Sequence, residues 1–281
     1  MPDLSRPLDN FPLVRSTTID AVCDALARVY VRPNLKITRG PKVINATMNE
    51  CALQDVQLGY GTYGGDVELE YPAAGRFLLL LPARGQGQIT AGKTGITLGP
   101  GTSAMISPEI GFKASYARNY EFFVLKIDRQ ALTRKLLALT GATINEPLRM
   151  APQIIAARPE AKLLHEYLPV LANTLSASVG PMPTWWVAQT EQLLATMLLF
   201  SHQHNYSHLL EEIPADAAPL QVRRAEEYIE ANPQRPITME DLAAVSGVSV
   251  FSLFRAFKRS RGYSPLEFAA QVRLRQRGAQ G

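Results

Sequence analysis

The sequence predicts an α+β protein with an N-terminal β-barrel, flanking helices and an all-α C-terminal domain. Between residues 53 and 127, short apolar or alternating stretches recur between turn signals, which is typical of antiparallel strands in a sandwich or small barrel. After residue 127 the apolar period changes from two to about 3.6, which indicates helices. The 281 residues are 46% hydrophobic and 19% charged, a composition that disfavours a disordered chain.

Short strands fill the predicted barrel region. They span residues 53–60, 67–71, 77–81, 87–91, 96–98, 102–106, 112–116 and 121–127. The segment 91–95 is a hairpin signal, and Gly99-Pro100-Gly101 is typical of a tight turn. Alternation leaves two choices for the inward face of strand 77–81, which is formed either by Phe77, Leu79 and Leu81 or by Leu78 and Leu80.

Three helical stretches follow the strands. Asp128 is the predicted N-cap of a helix that ends at Gly141. The stretch 160–175 contains Pro169, which is expected to kink or split it. The stretch 184–210 has a broad apolar stripe that either packs on the sheet or serves as a dimer seam. The stripe contains Trp186, Leu193, Leu194, Met197 and Leu198.

Several classes of protein are disfavoured by residue content. Cys23 and Cys51 are too few for a disulfide framework and indicate a reduced, cytoplasmic protein. The N-terminus lacks the apolar core of a secretory signal, and the longest apolar runs fall far short of the roughly 18 residues of a membrane span. The four histidines lie outside the strand region, so neither a metal nor another cofactor is predicted. His204 and His208, spaced i, i+4, are a weak alternative metal pair. No phosphate-binding or nucleophile motif is present, so the sequence does not predict an enzyme.

The net charge of +4 lies entirely near the C-terminus. Residues 1–219 contain 19 basic and 19 acidic side chains, whereas residues 220–281 contain 10 basic and 6 acidic ones. Within residues 249–281, Glu267 is the single acid among seven bases. A local basic patch of this kind is expected of a nucleic-acid-binding module. On charge alone, a solvated helix face is an equal alternative.

Capping signals divide the C-terminal region into helices. Residues 220–231 form a predicted helix, and Thr238 caps a short helix that ends at Gly247. Ser249 caps the next helix, which gives the helix-turn-helix layout in which the second helix enters the major groove. Leu253 and Phe257 are expected to face inward. The capping box Ser264-Pro265-Leu266-Glu267 starts a further helix.

These residues resemble a known family. The segments 237–243, 247–249, 253–258, 262–265 and 273–274 resemble the first half of the DNA-binding domain of the AraC/XylS family of bacterial transcription regulators. The strand series and the turn at residues 98–101 resemble that family's N-terminal domain, a cupin-like barrel followed by dimerising helices. The family's DNA-binding domain has two helix-turn-helix units, and we expect this chain to end after the first.

The resemblance implies a domain organisation and a set of partners. Residues 1–180 would form a cupin-like ligand-sensing domain, 181–210 a dimerisation helix, 211–219 a linker, and 220–281 a partial AraC-type DNA-binding domain with one helix-turn-helix. The implied function is that of a sequence-specific DNA-binding transcription regulator, an activator, that responds to a small organic effector in the barrel. The expected partners are DNA, the effector, a second copy of the chain and RNA polymerase. The effector-binding residues are unknown.

The predicted DNA-binding residues lie on the second helix of the helix-turn-helix. They are Ser249, Val250, Phe251, Ser252, Phe254, Arg255, Lys258 and Arg259. Arg255 is expected near base edges and Lys258 on phosphate. Phe251 occupies a position where the family often carries a base-reading arginine, so it is expected either to meet a thymine methyl group or to be partly buried.

Two other functions are kept as alternatives. One is a truncated dimerisation or interaction module with little DNA binding of its own. The other is a metal-free isomerase with the same barrel, which would need an acid or a histidine with a perturbed pKa inside the barrel. The sequence offers no obvious residue for that role.

Overall fold

The computed structural model describes residues 6–40, 43–140, 144–155, 159–178, 180–211 and 220–278. The chain divides into two compact units. The first comprises Met1–Leu136 and Glu146–Ser207, and the second comprises Leu137–Asn145 and His208–Gly281. Gly141, the predicted end of a helix, and residues 212–219 of the predicted linker lie outside the described residues.

The first unit contains the strands and the long helices. Its elements in chain order are β1 (Pro12–Ser16), α1 (Ile19–Val29), β2 (Asn34–Arg39), β3 (Ala46–Ala52), β4 (Val56–Thr62), β5 (Asp66–Tyr71), β6 (Arg76–Arg84), β7 (Gly87–Ala91), β8 (Thr94–Leu98), β9 (Thr102–Ile106), β10 (Phe112–Tyr116), β11 (Glu121–Asp128), α2 (Arg129–Thr140), β12 (Gln153–Ile155), α3 (Pro159–Ala177) and α4 (Thr184–Ser201). The last residues of α2 belong to the second unit.

The described strands form two antiparallel sheets. One sheet has the order β1-β3-β4-β11-β6-β9-β12, and the other has the order β2-β5-β10-β7-β8. An apolar core lies between them and draws on both, with Leu80 and Ile106 from the first sheet and Leu69, Ile89 and Phe112 from the second. This architecture confirms the predicted α+β class.

Strand pairing settles which side chains of β6 face the barrel interior. Leu78 and Leu80 belong to the core between the sheets. Leu81 therefore points to the opposite face, and so does Ser103, because Leu80 pairs with Ala104. The Oγ atom of Ser103 lies 2.9 Å from Nε2 of His165 on α3, so this outer face is covered by helix.

The local turn signals are confirmed, but the start of the barrel was missed. Gly92 lies in the β7–β8 hairpin with φ of 58°, and the Thr102 amide donates to the Gly99 carbonyl at 3.0 Å. Elements β1, α1, β2 and β3 precede residue 53 and were not predicted. The edge strands β1 and β2 have only one buried residue between them, Leu35, and they mix polar with apolar residues, which weakens their alternation.

The structure differs from two expectations about the helices. Of the kink or split expected at Pro169, the split does not occur, because α3 continues through that residue as one element. The predicted helix 184–210 ends at Ser201, and α5 (Ser207–Glu211) follows separately. Leu194 and Leu198 are fully buried within the chain, so these two residues cannot form a dimer seam. Both side chains pack inside the first unit.

The second unit contains the C-terminal helices α6 (Leu220–Ala231), α7 (Met239–Ser246), α8 (Val250–Arg261) and α9 (Pro265–Gly278). Their apolar faces meet in a separate core. Ile229 of α6, Leu242 of α7, Leu253 and Phe257 of α8, and Phe268 of α9 are among its members. The inward orientation predicted for Leu253 and Phe257 is therefore confirmed.

Glu191 of α4 connects that helix to the loop between β3 and β4. Its Oε1 atom accepts hydrogen bonds from the backbone amides of Gln54 at 2.8 Å, Asp55 at 2.7 Å and Val56 at 3.0 Å. Glu191 is only 8% exposed. Because a buried amide without an acceptor is costly, one carboxylate satisfies three backbone donors at once.

We expect Glu191→Ala to destabilise the chain by about 3 kcal/mol, since hydrogen bonds to a charged acceptor are strong and three amides lose theirs. Urea unfolding followed by tryptophan fluorescence measures this directly, because both tryptophans, Trp185 and Trp186, lie on α4. Gln192→Ala changes an exposed neighbour on the same helix and should leave the midpoint unchanged. Equal midpoints for the two variants would contradict the assignment.

His202 is a buried imidazole directly after α4. Burial, together with repulsion from His165 and His204, lowers its pKa to about 3. Among the described residues, its Nε2 atom has no hydrogen-bond partner. The unfolded chain therefore binds a proton here, between about pH 6.5 and pH 3, that the folded chain does not bind. The contribution of His202 to the free energy of unfolding is therefore complete above about pH 6.5 and decreases as the pH falls below that value.

Lowering the pH from 7 to 5 should reduce the free energy of unfolding by about 2 kcal/mol through His202 alone. The reason is that the pKa of this imidazole is about 6.5 in the unfolded chain and about 3 in the folded chain. His202→Gln cannot titrate, so its unfolding free energy should fall less steeply over this range. His208→Gln alters an exposed histidine and serves as the matched control. Urea unfolding at several pH values gives the slopes, and identical slopes for wild type and His202→Gln would refute the role of His202.

Candidate DNA-binding surface and effector cavity

Local hydrogen bonds build the helix-turn-helix. The Thr238 amide donates to Oδ2 of Asp241 at 3.0 Å, and the Asp241 amide donates to Oγ1 of Thr238 at 3.1 Å, which completes a capping box at the start of α7. Gly247 ends α7 with φ of 68°, a left-handed conformation that favours glycine. Ser249 then caps α8 by accepting from the Ser252 amide at 3.2 Å.

The caps also affect the acidic side chains that form them. The hydrogen bonds from the Thr238 backbone and hydroxyl lower the pKa of Asp241. Those from Ser264, with a smaller effect of Lys258, lower the pKa of Glu267 at the start of α9. Both carboxylates therefore stay ionised under ordinary conditions and stabilise the helix N-termini.

All eight predicted DNA-binding residues are solvent-exposed. They are Ser249, Val250, Phe251, Ser252, Phe254, Arg255, Lys258 and Arg259. Phe251 is 67% exposed, so its partial burial, one of the two expectations, is wrong. Val250 and Phe254 are also exposed, which gives this face an apolar character that a merely solvated helix does not need. Contact between these residues and DNA remains a prediction.

Arg255 is aligned by a neighbouring aromatic ring. Its Cζ atom lies 5.5 Å from the centre of the Phe251 ring, one helical turn earlier, which is a cation–π arrangement. Among the described residues, no acidic side chain lies within ion-pair distance of Arg255. Its guanidinium donors therefore point into solvent beside an exposed aromatic ring.

Other bases of this region are engaged inside the second unit. Arg261 donates from Nε to Oε1 of Glu226 at 2.7 Å, in a pair that is half-buried and connects α8 to α6. Nζ of Lys258 lies 3.7 Å from Oε2 of Glu267 and 3.4 Å from the Gly262 carbonyl oxygen. The sequence did not indicate that these charges have partners.

A second candidate site is a cavity inside the barrel of the first unit. Its volume is about 50 Å³. Strands of both sheets line it together with Tyr30, the residue that ends α1. Its walls combine aromatic with aliphatic side chains, and Tyr71 stacks on Phe112 with ring centres 5.0 Å apart. The hydroxyl of Tyr30 is buried and has no hydrogen-bond partner among the described residues.

A buried ion pair lies in the wall of this cavity. Nζ of Lys126 on β11 lies 2.6 Å from Oε2 of Glu50 on β3, and the two side chains are 5% and 8% exposed. The same ammonium lies 5.2 Å from the centre of the Tyr30 ring. Burial lowers the pKa of Lys126, and the charge and hydrogen bond of Glu50 offset part of this effect. Glu50 and Lys126 are the charged residues among those that line the cavity.

The geometry of β4 brings the pair together. Gly59 pairs with Glu50 on one side and with Val124 on the other, so β4 lies between the two charged residues. A Cβ atom at Gly59 would lie 2.8 Å from Cγ1 of Val124, which shows how closely the side chains approach over this glycine. Sequence reasoning missed Glu50 and Lys126. Glu50 is the one charged residue of the largely buried strand β3, and Lys126 lies between the apolar residues Leu125 and Ile127 of β11, a signal that could have found them.

The histidines do not form a metal centre in the described part of the chain. No three His, Cys, Asp or Glu side chains there are placed to hold a metal ion together. His204 lies outside a helix, and its Nε2 atom is 3.2 Å from the Leu199 carbonyl oxygen, so the i, i+4 helical pairing with His208 is wrong.

Within the described ranges, no helix has both the length and the apolar character required to cross a membrane.

Comparisons with known proteins agree with this architecture. Residues 22–199 match the family described as the AraC-binding-like domain, which is more than half of the chain. The "Probable thc operon regulatory protein" of Rhodococcus erythropolis is 25% identical over 254 residues, which cover 88% of this chain and 75% of that protein.

Two solved structures are also similar. The AraC-like transcriptional activator CuxR matches over 94% of both chains with a TM-score of 0.50 and 15% identity, which shows a shared fold. A probable AraC family transcriptional regulator from Rhodopseudomonas palustris CGA009 is 60% identical over a segment that covers 20% of this chain and 51% of that chain, with a TM-score of 0.19. With its cupin-like pair of sheets and its C-terminal helices, the chain belongs to the AraC family of transcriptional regulators.

Proposed function

We propose that the chain regulates transcription by reading DNA with α8 and by binding a small organic effector in the barrel cavity. The observation that carries the DNA half is the exposed pair of Phe251 and Arg255, one turn apart on the second helix of a helix-turn-helix. The effector half rests on the cavity around Tyr30, Glu50 and Lys126. A regulator needs no reacting groups at either site, so we propose no enzymatic activity.

Assembly as a homodimer is also part of the proposal. Trp185, Leu193 and Phe200 of α4 are exposed large apolar side chains, and Leu163 and Val170 of α3 are exposed as well. Helices α3 and α4 pack against each other through their buried residues, which leaves these side chains outside. A patch of this kind favours burial against a second copy.

Arg255 is proposed to read a guanine edge in the major groove. Duplexes selected from a random pool by the full chain supply the specific site, and a scrambled duplex supplies the reference. Arg255→Ala should reduce discrimination between the two by about 1 to 3 kcal/mol, the usual value of a bidentate arginine–guanine contact. A fluorescence-anisotropy titration measures it, with Lys93→Ala at the exposed β7–β8 turn as the matched control.

Lys258 is proposed to contact phosphate, in competition with Glu267. Lys258→Ala should then weaken binding to both duplexes alike and lower the salt slope by about one. Equal losses on both duplexes for Arg255→Ala would remove that residue from base reading. A pool that yields no preferred sequence would refute sequence-specific recognition by this chain and favour the alternative of an interaction module.

Phe251 is proposed to contact the C5-methyl group of a thymine next to that guanine. The Phe251 ring lies against the Arg255 guanidinium. When the guanidinium lies in the plane of the guanine to which it donates, the ring is level with the neighbouring base pair. Replacing the thymine by deoxyuridine removes only the methyl group and should weaken binding about threefold in the unmodified chain. In Phe251→Ala the same replacement should have no effect, whereas Phe254→Ala should retain it. An equal effect in all three proteins would exclude Phe251 from thymine recognition.

A further inference from the structure

We infer that the barrel cavity selects an uncharged ligand, one small apolar ring bearing a single group that both donates and accepts hydrogen bonds, such as a carboxamide. This inference rests on the proposed sensing role of the barrel and adds the chemical class of the ligand. It follows from the size of the cavity, from the charges in its wall and from the surfaces that surround them.

The size of the cavity limits the ligand to about one ring. The cavity has a volume of about 50 Å³, whereas an apolar protein cavity that binds benzene has about 150 Å³. The ligand is therefore limited to one small ring, and the surrounding side chains must move outward to admit it. The leucine side chains Leu78 and Leu80 and the rings of Phe112 and Phe122 line it. A sugar would leave several hydroxyl groups without partners against these walls.

The charges in the wall select against an ionised ligand. Lys126 and Glu50 already neutralise each other at 2.6 Å, and both are almost completely buried. An anion that accepted from the ammonium would bring a buried negative charge with no partner of its own, and a cation that donated to the carboxylate would bring an unpaired positive charge. An uncharged group that accepts from the ammonium and donates to the carboxylate adds no net charge.

The pair is suited to recognition by such a group. A lysine ammonium has three donors and a carboxylate has about four acceptor positions, so one hydrogen bond between them leaves others free. A carboxamide oxygen and its N–H group match a donor and an acceptor placed side by side. The Tyr30 hydroxyl in the same wall has no hydrogen-bond partner within the described ranges and offers an additional polar contact.

Three probes that share one ring distinguish an uncharged ligand from an anionic and a cationic one. Benzamide, benzoate and benzylamine, each at about 10 mM, are tested for stabilisation of the full chain by thermal unfolding and for binding by saturation-transfer NMR. Benzamide should bind the unmodified chain at least about tenfold more tightly than either ion, because neither ion can bind without leaving a buried charge unpaired.

Variants of the pair should change the selectivity in a defined direction. In Glu50→Gln the ammonium of Lys126 lacks its carboxylate, so benzoate should become the preferred probe. In Lys126→Met the remaining carboxylate should favour benzylamine. Leu98→Val, a buried residue of the same core that does not line the cavity, is the control and should retain the preference for benzamide. If a variant of the pair does not fold, the comparison of probes on the unmodified chain still decides.

The outcomes separate the inference from the proposed function. Preference of the unmodified chain for benzoate or benzylamine would overturn the inference and leave a ligand-binding barrel in place. Unchanged preference in a folded Glu50→Gln variant would also overturn it, since the pair would then not contact the ligand. Absence of binding by all three probes would overturn the inference and remove the support for effector sensing, while the DNA titrations test the other half of the proposal separately.

Discussion

The position of α4 depends on one carboxylate. Glu191 reaches into the loop before β4 and binds three consecutive backbone amides. Strand β4 starts at the last of these amides, and it is also the strand that separates Glu50 from Lys126. Helix α4 and the strand that shapes the inside of the sheet are therefore held by the same contact, so the packing of the helix and that of the barrel interior are coupled.

The elements that sequence reasoning could predict are those specified by neighbouring residues. Capping boxes, the glycine at the end of α7 and the β7–β8 hairpin all involve residues a few positions apart, and the structure contains each of them. Strand β3 was missed because both of its faces are buried, so it lacks the alternation of a half-exposed strand. The end of α4 at Ser201 was missed because no glycine or proline marks it, and the next apolar pair, Leu209 and Leu210, lies in the separate helix α5.

The barrel site depends on contacts that are distant in the sequence. Glu50 and Lys126 are 76 positions apart and meet only because β3 and β11 both pair with β4 in one register. A shift by one residue would turn both side chains to the helix-covered face of the sheet. No local pattern encodes that register, whereas the exposed face of α8 follows from helical periodicity alone.

The ion pairs around α8 change how the basic C-terminal region acts at long range. Arg261 and Lys258 face Glu226 and Glu267, so part of the positive charge counted along the chain is cancelled within a few ångströms. Arg255, near the middle of the helix, and Arg259, in its last turn, have no ion-pair partner in the part of the chain that the structure describes. The electrostatic field is thus concentrated on a short stretch of one helix face, and this focusing orients an approaching polyanion more sharply than an evenly spread charge of the same total would.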